Sequence, residues 1–188
     1  MKLNTNAAAA VASIVDPIRR AVEQDRVTML APAIAKLQEA GAFSFPEFFA
    51  SARADRYSRR LIWADPAGRF VVVGMTWAPG QFAPLHDHAG QWGVEAIVEG
   101  SMKQTAYRLV DRDAQQRYRF MREGEEIAHV GTVSVVIPPL EYHAFANASP
   151  DVSRTVHVYG STMERCQKFL HDADGWWRAE TVELTYDA

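Results

Sequence analysis

The sequence contains a single cysteine, Cys166, among its 188 residues. One cysteine cannot form an internal disulfide, and this scarcity fits a reducing compartment. No apolar run reaches the eighteen or so residues that a membrane-spanning helix needs. The formal net charge of −3 provides no basic field for nucleic acid. These absences predict a cytoplasmic protein that neither crosses a membrane nor binds nucleic acid.

Size and composition predict one domain with a full hydrophobic core. The chain is 48% hydrophobic, and its length is typical of a single domain. The first part has helical periodicity, whereas the remainder consists of short strand-like runs. We therefore expect one domain over residues 1–188, with a helical cap over residues 1–56 and a β-barrel over residues 57–188.

Local patterns predict the individual elements. Apolar residues recur at three and four positions through residues 7–40, and a capping-box pattern predicts a short third helix over residues 45–54. The tail is predicted as a short helix over residues 163–171 and an edge strand over residues 176–186. Predicted strands elsewhere cover residues 70–77, 102–110, 126–130, 133–137, 142–146 and 155–159. Many short strands separated by turns are typical of an all-β sandwich or barrel.

Two histidines separated by one residue, His86 and His88, form the first candidate metal-binding motif. On a strand both imidazoles would project to the same side. His143, which follows the strand-like run over residues 133–137, is the best candidate for a third ligand. Imidazole binds zinc, copper, iron and nickel, so the histidines alone do not name the metal. Three protein ligands leave coordination positions open, which is the arrangement of a catalytic site.

Three polar residues, Thr155, His157 and Tyr159, share one face of a predicted strand because they are two residues apart. If this strand pairs with the segment over residues 138–147, these three side chains face the barrel interior. A buried Tyr159 hydroxyl needs a hydrogen-bond partner, and His157 with Thr155 would form a chain that orients it. The alternative is that Tyr159 only fills the core with its ring.

The two histidine segments resemble the two sequence motifs of the cupin family. The matching positions are Gly80, His86, His88 and Gly100 in the first motif, and Pro138, His143 and Asn147 in the second. Gly93, aligned by Gly100, occupies the position of the cupin glutamate, and Glu95 lies two residues later. We therefore predict a site of three histidines without a carboxylate, in a jelly-roll barrel of the cupin type with two to three N-terminal helices.

Within the cupins, the chain resembles the thiol dioxygenases, and among them the cysteine dioxygenase family. The resemblance is carried by Tyr57-Ser58-Arg59-Arg60-Leu61-Ile62, His86-Asp87-His88, His143 and Thr155-Val156-His157-Val158-Tyr159. It implies a ferrous iron cofactor held by the three histidines. It also implies a reaction that inserts both atoms of O₂ into a small thiol to give a sulfinate.

The same resemblance implies roles for the remaining site residues. Arg59 would bind the substrate carboxylate through two parallel donors, with Tyr57 and Thr155 also in the substrate site. Tyr159 would hydrogen-bond the substrate, and His157 would hold Tyr159 in place. The pattern alone leaves Arg60 as the alternative carboxylate ligand, although we assign it to the opposite strand face and to solvent.

One departure from the family concerns Gly93, which stands where the animal enzymes carry a cysteine cross-linked to the tyrosine. We therefore expect an uncrosslinked Tyr159, as in the bacterial thiol dioxygenases, which act on cysteine, 3-mercaptopropionate or mercaptosuccinate. Branches of the family that act on 3-mercaptopropionate often carry glutamine at the position of Arg59, so this arginine favours cysteine or another thiol carboxylate that uses it. Two alternatives from other classes are a non-catalytic cupin that binds a small ligand and a cupin isomerase that uses zinc or manganese. The sequence leaves both monomer and homodimer open.

Overall fold

The computed structural model describes residues 5–24, 27–172 and 174–187. Its helices are α1 (Thr5–Glu23) and α2 (Val27–Glu39), followed by a 3-10 turn at Pro46–Phe48. Residues 25–26, within the predicted helical stretch, lie outside the described residues. Among the helices described, none combines the length and the apolar character that crossing a bilayer requires.

Eleven strands follow in the described residues, and they form two sheets. They are β1 (Ser58–Ala64), β2 (Val71–Trp77), β3 (Phe82–His86), β4 (Gly93–Glu99), β5 (Ser101–Arg112), β6 (Arg117–His129), β7 (Val133–Val136), β8 (Tyr142–Asn147), β9 (Ser153–Tyr159), β10 (Arg165–His171) and β11 (Trp177–Glu183). The first sheet has the strand order β1-β2-β9-β4-β7. The second sheet has the order β10-β11-β6-β5-β8-β3 and closes on itself.

The first sheet is covered on both faces. On one face, Val72 and Val158 pack in a cluster with the helix residues Ile14, Ile18 and Leu30. The other face contributes side chains to a second core that includes residues of the second sheet. Burial on both faces explains why every residue of β2 is buried and why its sequence is apolar except for Thr76.

The predicted helix over residues 45–54 is wrong, because only Pro46–Phe48 form a turn there. The Phe48 carbonyl oxygen lies 2.0 Å from where a Cβ of Gly74 would be, so this segment lies directly on the first sheet. The Thr76 hydroxyl donates a hydrogen bond to the Ala50 carbonyl at 2.8 Å. Contacts with the sheet therefore replace the backbone hydrogen bonds that a helix would supply.

The predicted helix over residues 163–171 is also wrong, because Arg165–His171 form β10. This strand pairs along its whole length with β11 and contacts β3, which closes the second sheet. Glu123 and Gly124, which precede the strand predicted over residues 126–130, lie inside β6, where the register with β5 shifts. Strand pairing overrides the local preference in both places.

Candidate metal centre

The structure brings the three predicted histidines together. His86 ends β3 and pairs in register with His143 on β8, and their Nε2 atoms are 3.2 Å apart. His88 is fully buried, and one ring nitrogen from each histidine lies within 4.8 Å of the others. The three side chains could therefore hold one metal ion.

The position of His88 depends on a loop, not on a strand as we expected, because β3 ends at His86. The backbone N–H groups of His88 and Gly90 donate hydrogen bonds to Glu141 Oε2 at 3.3 and 3.1 Å. Burial raises the pKa of the Glu141 carboxyl, and the two backbone hydrogen bonds oppose that shift. Glu141 was missed from the sequence, since a loop glutamate is ordinarily solvated.

The chemistry of the donor set fits a metal. His86 Nδ1 lies 2.8 Å from the Pro84 carbonyl and donates to it, so His86 Nε2 carries a lone pair that faces His143. Burial lowers the pKa of His86 to about 3 and also lowers the pKa of His88 and of His143. Neutral nitrogens whose lone pairs converge in a buried space are suited to share a cation.

A carboxylate lies beside the three histidines, although it is not part of the group that could hold a metal, which consists of the three predicted histidines. Glu95 is 1% exposed on β4, and its Oε1 is 3.2 Å from His157 Nδ1, 3.7 Å from His143 Nε2 and 3.9 Å from His88 Nε2. Burial would raise the pKa of the Glu95 carboxyl, but the neighbouring His143 and His157 lower it below its usual value. The available signal was the two-residue spacing from Gly93, which places Glu95 on the same strand face.

Gly93 leaves room within the site. A Cβ at this position would lie 3.1 Å from His88 Nδ1 and 3.3 Å from Tyr159 Cδ1. Gly93 pairs in register with Tyr159. A larger side chain at position 93 would therefore require one of these two rings to move.

The predicted polar chain is present on β9. His157 Nε2 is 2.7 Å from Thr155 Oγ1, and His157 Nδ1 is 3.0 Å from the Tyr159 hydroxyl. Trp77 Nε1–H donates to Thr155 Oγ1 at 3.0 Å. Burial raises the pKa of Tyr159 well above its usual value, so the hydroxyl stays protonated at neutral pH.

The pairing that we considered for this strand does not form. We made the inward orientation of its polar residues conditional on pairing with the segment that carries His143, but β9 pairs with β2 and β4, while β8 pairs with β3 and β5 in the other sheet. The Phe145 and His157 ring centroids are 6.0 Å apart. The polar chain on the first sheet therefore faces the second sheet, which carries His86 and His143.

Arg59 points into the barrel and is 3% exposed. Its Nη1 and Nη2 atoms are buried without a hydrogen-bond partner among the described residues, and its Cζ lies 5.1 Å from the centre of the Tyr186 ring. Tyr57 stacks on Trp77 with ring centroids 4.2 Å apart. Arg60 is only partly buried.

The C-terminal segment helps to position Arg59, which the sequence did not reveal. Asp187 Oδ2 accepts a hydrogen bond from the Arg59 backbone N–H at 3.0 Å, and the Asp187 N–H donates to the Arg59 carbonyl at 2.6 Å. The Asp187 carboxylate also accepts hydrogen bonds from the Arg56 guanidinium at 2.6 and 2.8 Å. This segment is thereby fastened to the start of β1.

Two adjoining cavities connect Arg59 with the histidine site. An inner chamber of about 30 Å³ is lined by the metal-site residues His86, Glu95 and His143, and by Arg59 and Tyr159 among others. An outer chamber of about 250 Å³ shares Arg59 and His86 with it. A small molecule held by Arg59 would therefore lie beside the histidines.

A strand barrel that directs three histidines at one point, with helices at its N-terminal side, is a metal-binding cupin barrel, and the predicted fold class is confirmed. The sequence profile described as "Cysteine dioxygenase type I" matches residues 1–172. The chain therefore belongs to this family.

Individual relatives are more distant. "Cysteine dioxygenase type 1" of Danio rerio is 25% identical over 117 residues, and the match covers 61% of this chain and 56% of the relative. The chain thus spans little more than half of that protein. A cupin 2 conserved barrel domain protein from Rhodopseudomonas palustris is 21% identical, with 67% of this chain and 77% of the other covered and a TM-score of 0.47. A protein with a double-stranded β-helix domain from Klebsiella pneumoniae is 16% identical, with 61% of this chain and 84% of the other covered and a TM-score of 0.44.

Proposed function

We propose that this protein is an iron(II)-dependent dioxygenase that converts a small thiol carboxylate to its sulfinate. The thiolate RS⁻ and O₂ give RSO₂⁻: two S–O bonds form, the O–O bond breaks, sulfur loses four electrons and O₂ gains them. No external reductant is needed. Iron, held by His86, His88 and His143, would supply the centre at which sulfur and O₂ exchange electrons.

The observation that carries the proposal is the unpaired guanidinium of Arg59 beside the histidines. A buried cation without an acceptor is unfavourable, so this position is suited to an anionic group of a ligand. A carboxylate would accept two parallel hydrogen bonds from Nη1 and Nη2. Tyr57 lines the same two chambers and would contact the ligand.

The hydrogen bonds of His157 leave the Tyr159 hydroxyl free to act as a donor to the substrate. Glu95 Oε1, which can only accept, lies 3.2 Å from His157 Nδ1, and this places the imidazole proton on Nδ1. The Thr155 hydroxyl, which accepts from Trp77, then donates to His157 Nε2. That Nδ1–H cannot accept a hydrogen bond from Tyr159. The Tyr159 proton is therefore available to a substrate in the inner chamber, and His157 holds the ring in position.

The substrates that fit this arrangement are L-cysteine, 3-mercaptopropionate and mercaptosuccinate, since each carries a thiol and a carboxylate. An oxygen electrode would test them on iron-loaded protein without added reductant, with the sulfinate quantified by mass spectrometry. We expect one O₂ consumed for each sulfinate formed. Absence of uptake with all three thiols would refute the proposal, and tight binding without turnover would indicate a ligand-binding cupin instead.

Metal identity needs its own measurement. Metal analysis of protein prepared without oxygen should find iron as the metal that supports turnover. Turnover of a sugar or keto acid by the zinc or manganese form alone would support an isomerase.

A further inference from the structure

We infer that Tyr186 and Asp187 position the Arg59 guanidinium for the substrate carboxylate. The segment over residues 184–187, which follows β11, is then part of the substrate site. Both residues act through Arg59 and not on the reacting sulfur, so they are positioning residues. The identity of the substrate rests on the proposed function, whereas the binding of a carboxylate can be measured without turnover.

The segment begins as a wall of the two chambers. The Leu184 N–H donates a hydrogen bond to the Glu164 carbonyl at 2.7 Å, and Leu184 lines both the inner and the outer chamber. Thr185 lines the outer chamber. A ligand held by Arg59 would therefore lie in the space that this segment bounds.

The Tyr186 ring is a partner for the Arg59 charge. The ring packs against the second core, and its centre lies 5.1 Å from Arg59 Cζ. An aromatic face attracts a cation without binding its N–H donors in the way that a carboxylate does. The Nη1 and Nη2 atoms of Arg59 have no hydrogen-bond partner among the described residues. Tyr186 thus stabilises the buried cation and leaves both donors to a ligand.

Asp187 holds the main chain of Arg59 at two points. Its Oδ2 accepts a hydrogen bond from the Arg59 N–H at 3.0 Å, and its own N–H donates to the Arg59 carbonyl at 2.6 Å. Because Tyr186 directly precedes Asp187, these two hydrogen bonds also fix where the ring lies relative to the guanidinium. Their loss would allow the ring and the guanidinium to separate.

The Asp187 carboxylate is itself occupied by two other guanidiniums. It accepts hydrogen bonds from Arg56 at 2.6 and 2.8 Å and from Arg53 Nη1 at 3.3 Å, and its side chain is 12% exposed. The hydrogen bonds from Arg56 lower the pKa of the Asp187 carboxyl, so it stays ionised at neutral pH. A carboxylate bound in this way is not free to neutralise the Arg59 side chain. The site therefore keeps an unpaired guanidinium for a substrate.

This arrangement predicts selectivity among thiols. A thiol with a carboxylate gains the charge-assisted pair with Arg59, whereas cysteamine, which has no carboxylate, gains nothing from it. The sulfur reacts at the histidine site, and the carboxylate is only bound. Loss of either positioning residue should therefore raise KM for a thiol carboxylate and leave kcat nearly unchanged.

Steady-state oxygen uptake by iron-loaded protein tests this split. Tyr186→Leu should raise the KM for 3-mercaptopropionate by roughly 5- to 30-fold, the range of a desolvated cation–π contact, and Asp187→Asn should raise it by roughly 10-fold. The KM for cysteamine, and kcat for both thiols, should stay within about 2-fold of the values for the unsubstituted protein. A merely structural role would reduce turnover of both thiols alike, and that result would overturn the inference.

Two matched variants serve as controls. Tyr186→Phe keeps the aromatic face and removes a buried hydroxyl that has no partner among the described residues, so its KM values should equal those of the unsubstituted protein. Asp55→Asn should also leave KM unchanged, because the Asp55 carboxylate pairs with Arg53 at the exposed side of the same cluster. In an Arg59→Ala background, Tyr186→Leu should raise KM no further, since Tyr186 acts through Arg59. A further rise there would contradict the inference.

Propionate, which has a carboxylate but no thiol, tests the carboxylate site by calorimetry without turnover. We expect it to bind Tyr186→Phe as it binds the unsubstituted protein, to bind Tyr186→Leu and Asp187→Asn roughly 10-fold more weakly, and not to bind Arg59→Ala measurably. Equal binding to all of these proteins, or no binding to the unsubstituted protein, would refute the inference. Should Asp187→Asn fail to fold, the two Tyr186 variants decide the question. If propionate binding follows the expected order while no thiol is oxidised, the proposed function is refuted and the role of the segment stands.

Discussion

Replacing Arg59 by alanine tests how the substrate is held. The guanidinium is 3% exposed, and its two terminal nitrogens have no acceptor among the described residues, so a bound carboxylate would be their hydrogen-bond partner. Losing a charge-assisted, largely desolvated pair costs on the order of 2–4 kcal/mol. This corresponds to an increase in KM of roughly 30- to 1000-fold for a thiol carboxylate.

Steady-state oxygen uptake provides the assay, with cysteine and 3-mercaptopropionate as substrates and cysteamine as the thiol without a carboxylate. Arg59→Ala should leave the KM for cysteamine nearly unchanged. Arg59→Lys should restore only part of the loss, because an ammonium cannot present two parallel donors. Arg60→Ala is the matched control, since this neighbour lies on the other strand face.

The free energy of unfolding provides a second measurement on the Arg59→Ala variant. Because the buried guanidinium lacks an acceptor in the ligand-free protein, Arg59→Ala should not lower the free energy of unfolding. If Arg60→Ala carries the effect on KM instead, the carboxylate is bound by the neighbouring residue. If neither substitution raises KM, the carboxylate is held elsewhere and the role of Arg59 is refuted.

Three further predictions follow from individual contacts. Alanine at any one of the three histidine ligands should remove most bound metal and nearly all activity while circular dichroism stays unchanged; retained metal in two of the three variants would show a wrong ligand set. Gly74→Ala should lower the free energy of unfolding by about 1–3 kcal/mol, because its Cβ would lie 2.0 Å from the Phe48 carbonyl oxygen. Gly124→Ala, with no atom within 4 Å of its Cβ, is the control in the same denaturant titration. Cys166, whose pKa burial raises to about 11, should react with iodoacetamide at pH 8 roughly 100-fold more slowly than a free thiol; equal rates would contradict that shift.

Several parts of this protein follow from short stretches of sequence. The period of a strand puts Thr155, His157 and Tyr159 on one face wherever that strand is placed, so their contact was predictable. The three histidines that converge could be found because imidazoles at motif spacing are a specific signal. The barrel class followed from many short apolar runs, and membership in the family is confirmed.

Only the tertiary structure decided which other charged groups join the site. Glu95, Glu141 and Asp187 acquire their partners from segments far away in the chain. No local pattern marks Glu141 or Asp187, because a carboxylate in a sequence is ordinarily a solvated side chain. For Glu95 the spacing from Gly93 indicates only the strand face. Two predicted helices failed for a related reason, since pairing and packing with distant strands outweighed local preference. The packing of one sheet against the other removes water from Glu95, so the partners of its carboxylate are the imidazoles of His88, His143 and His157.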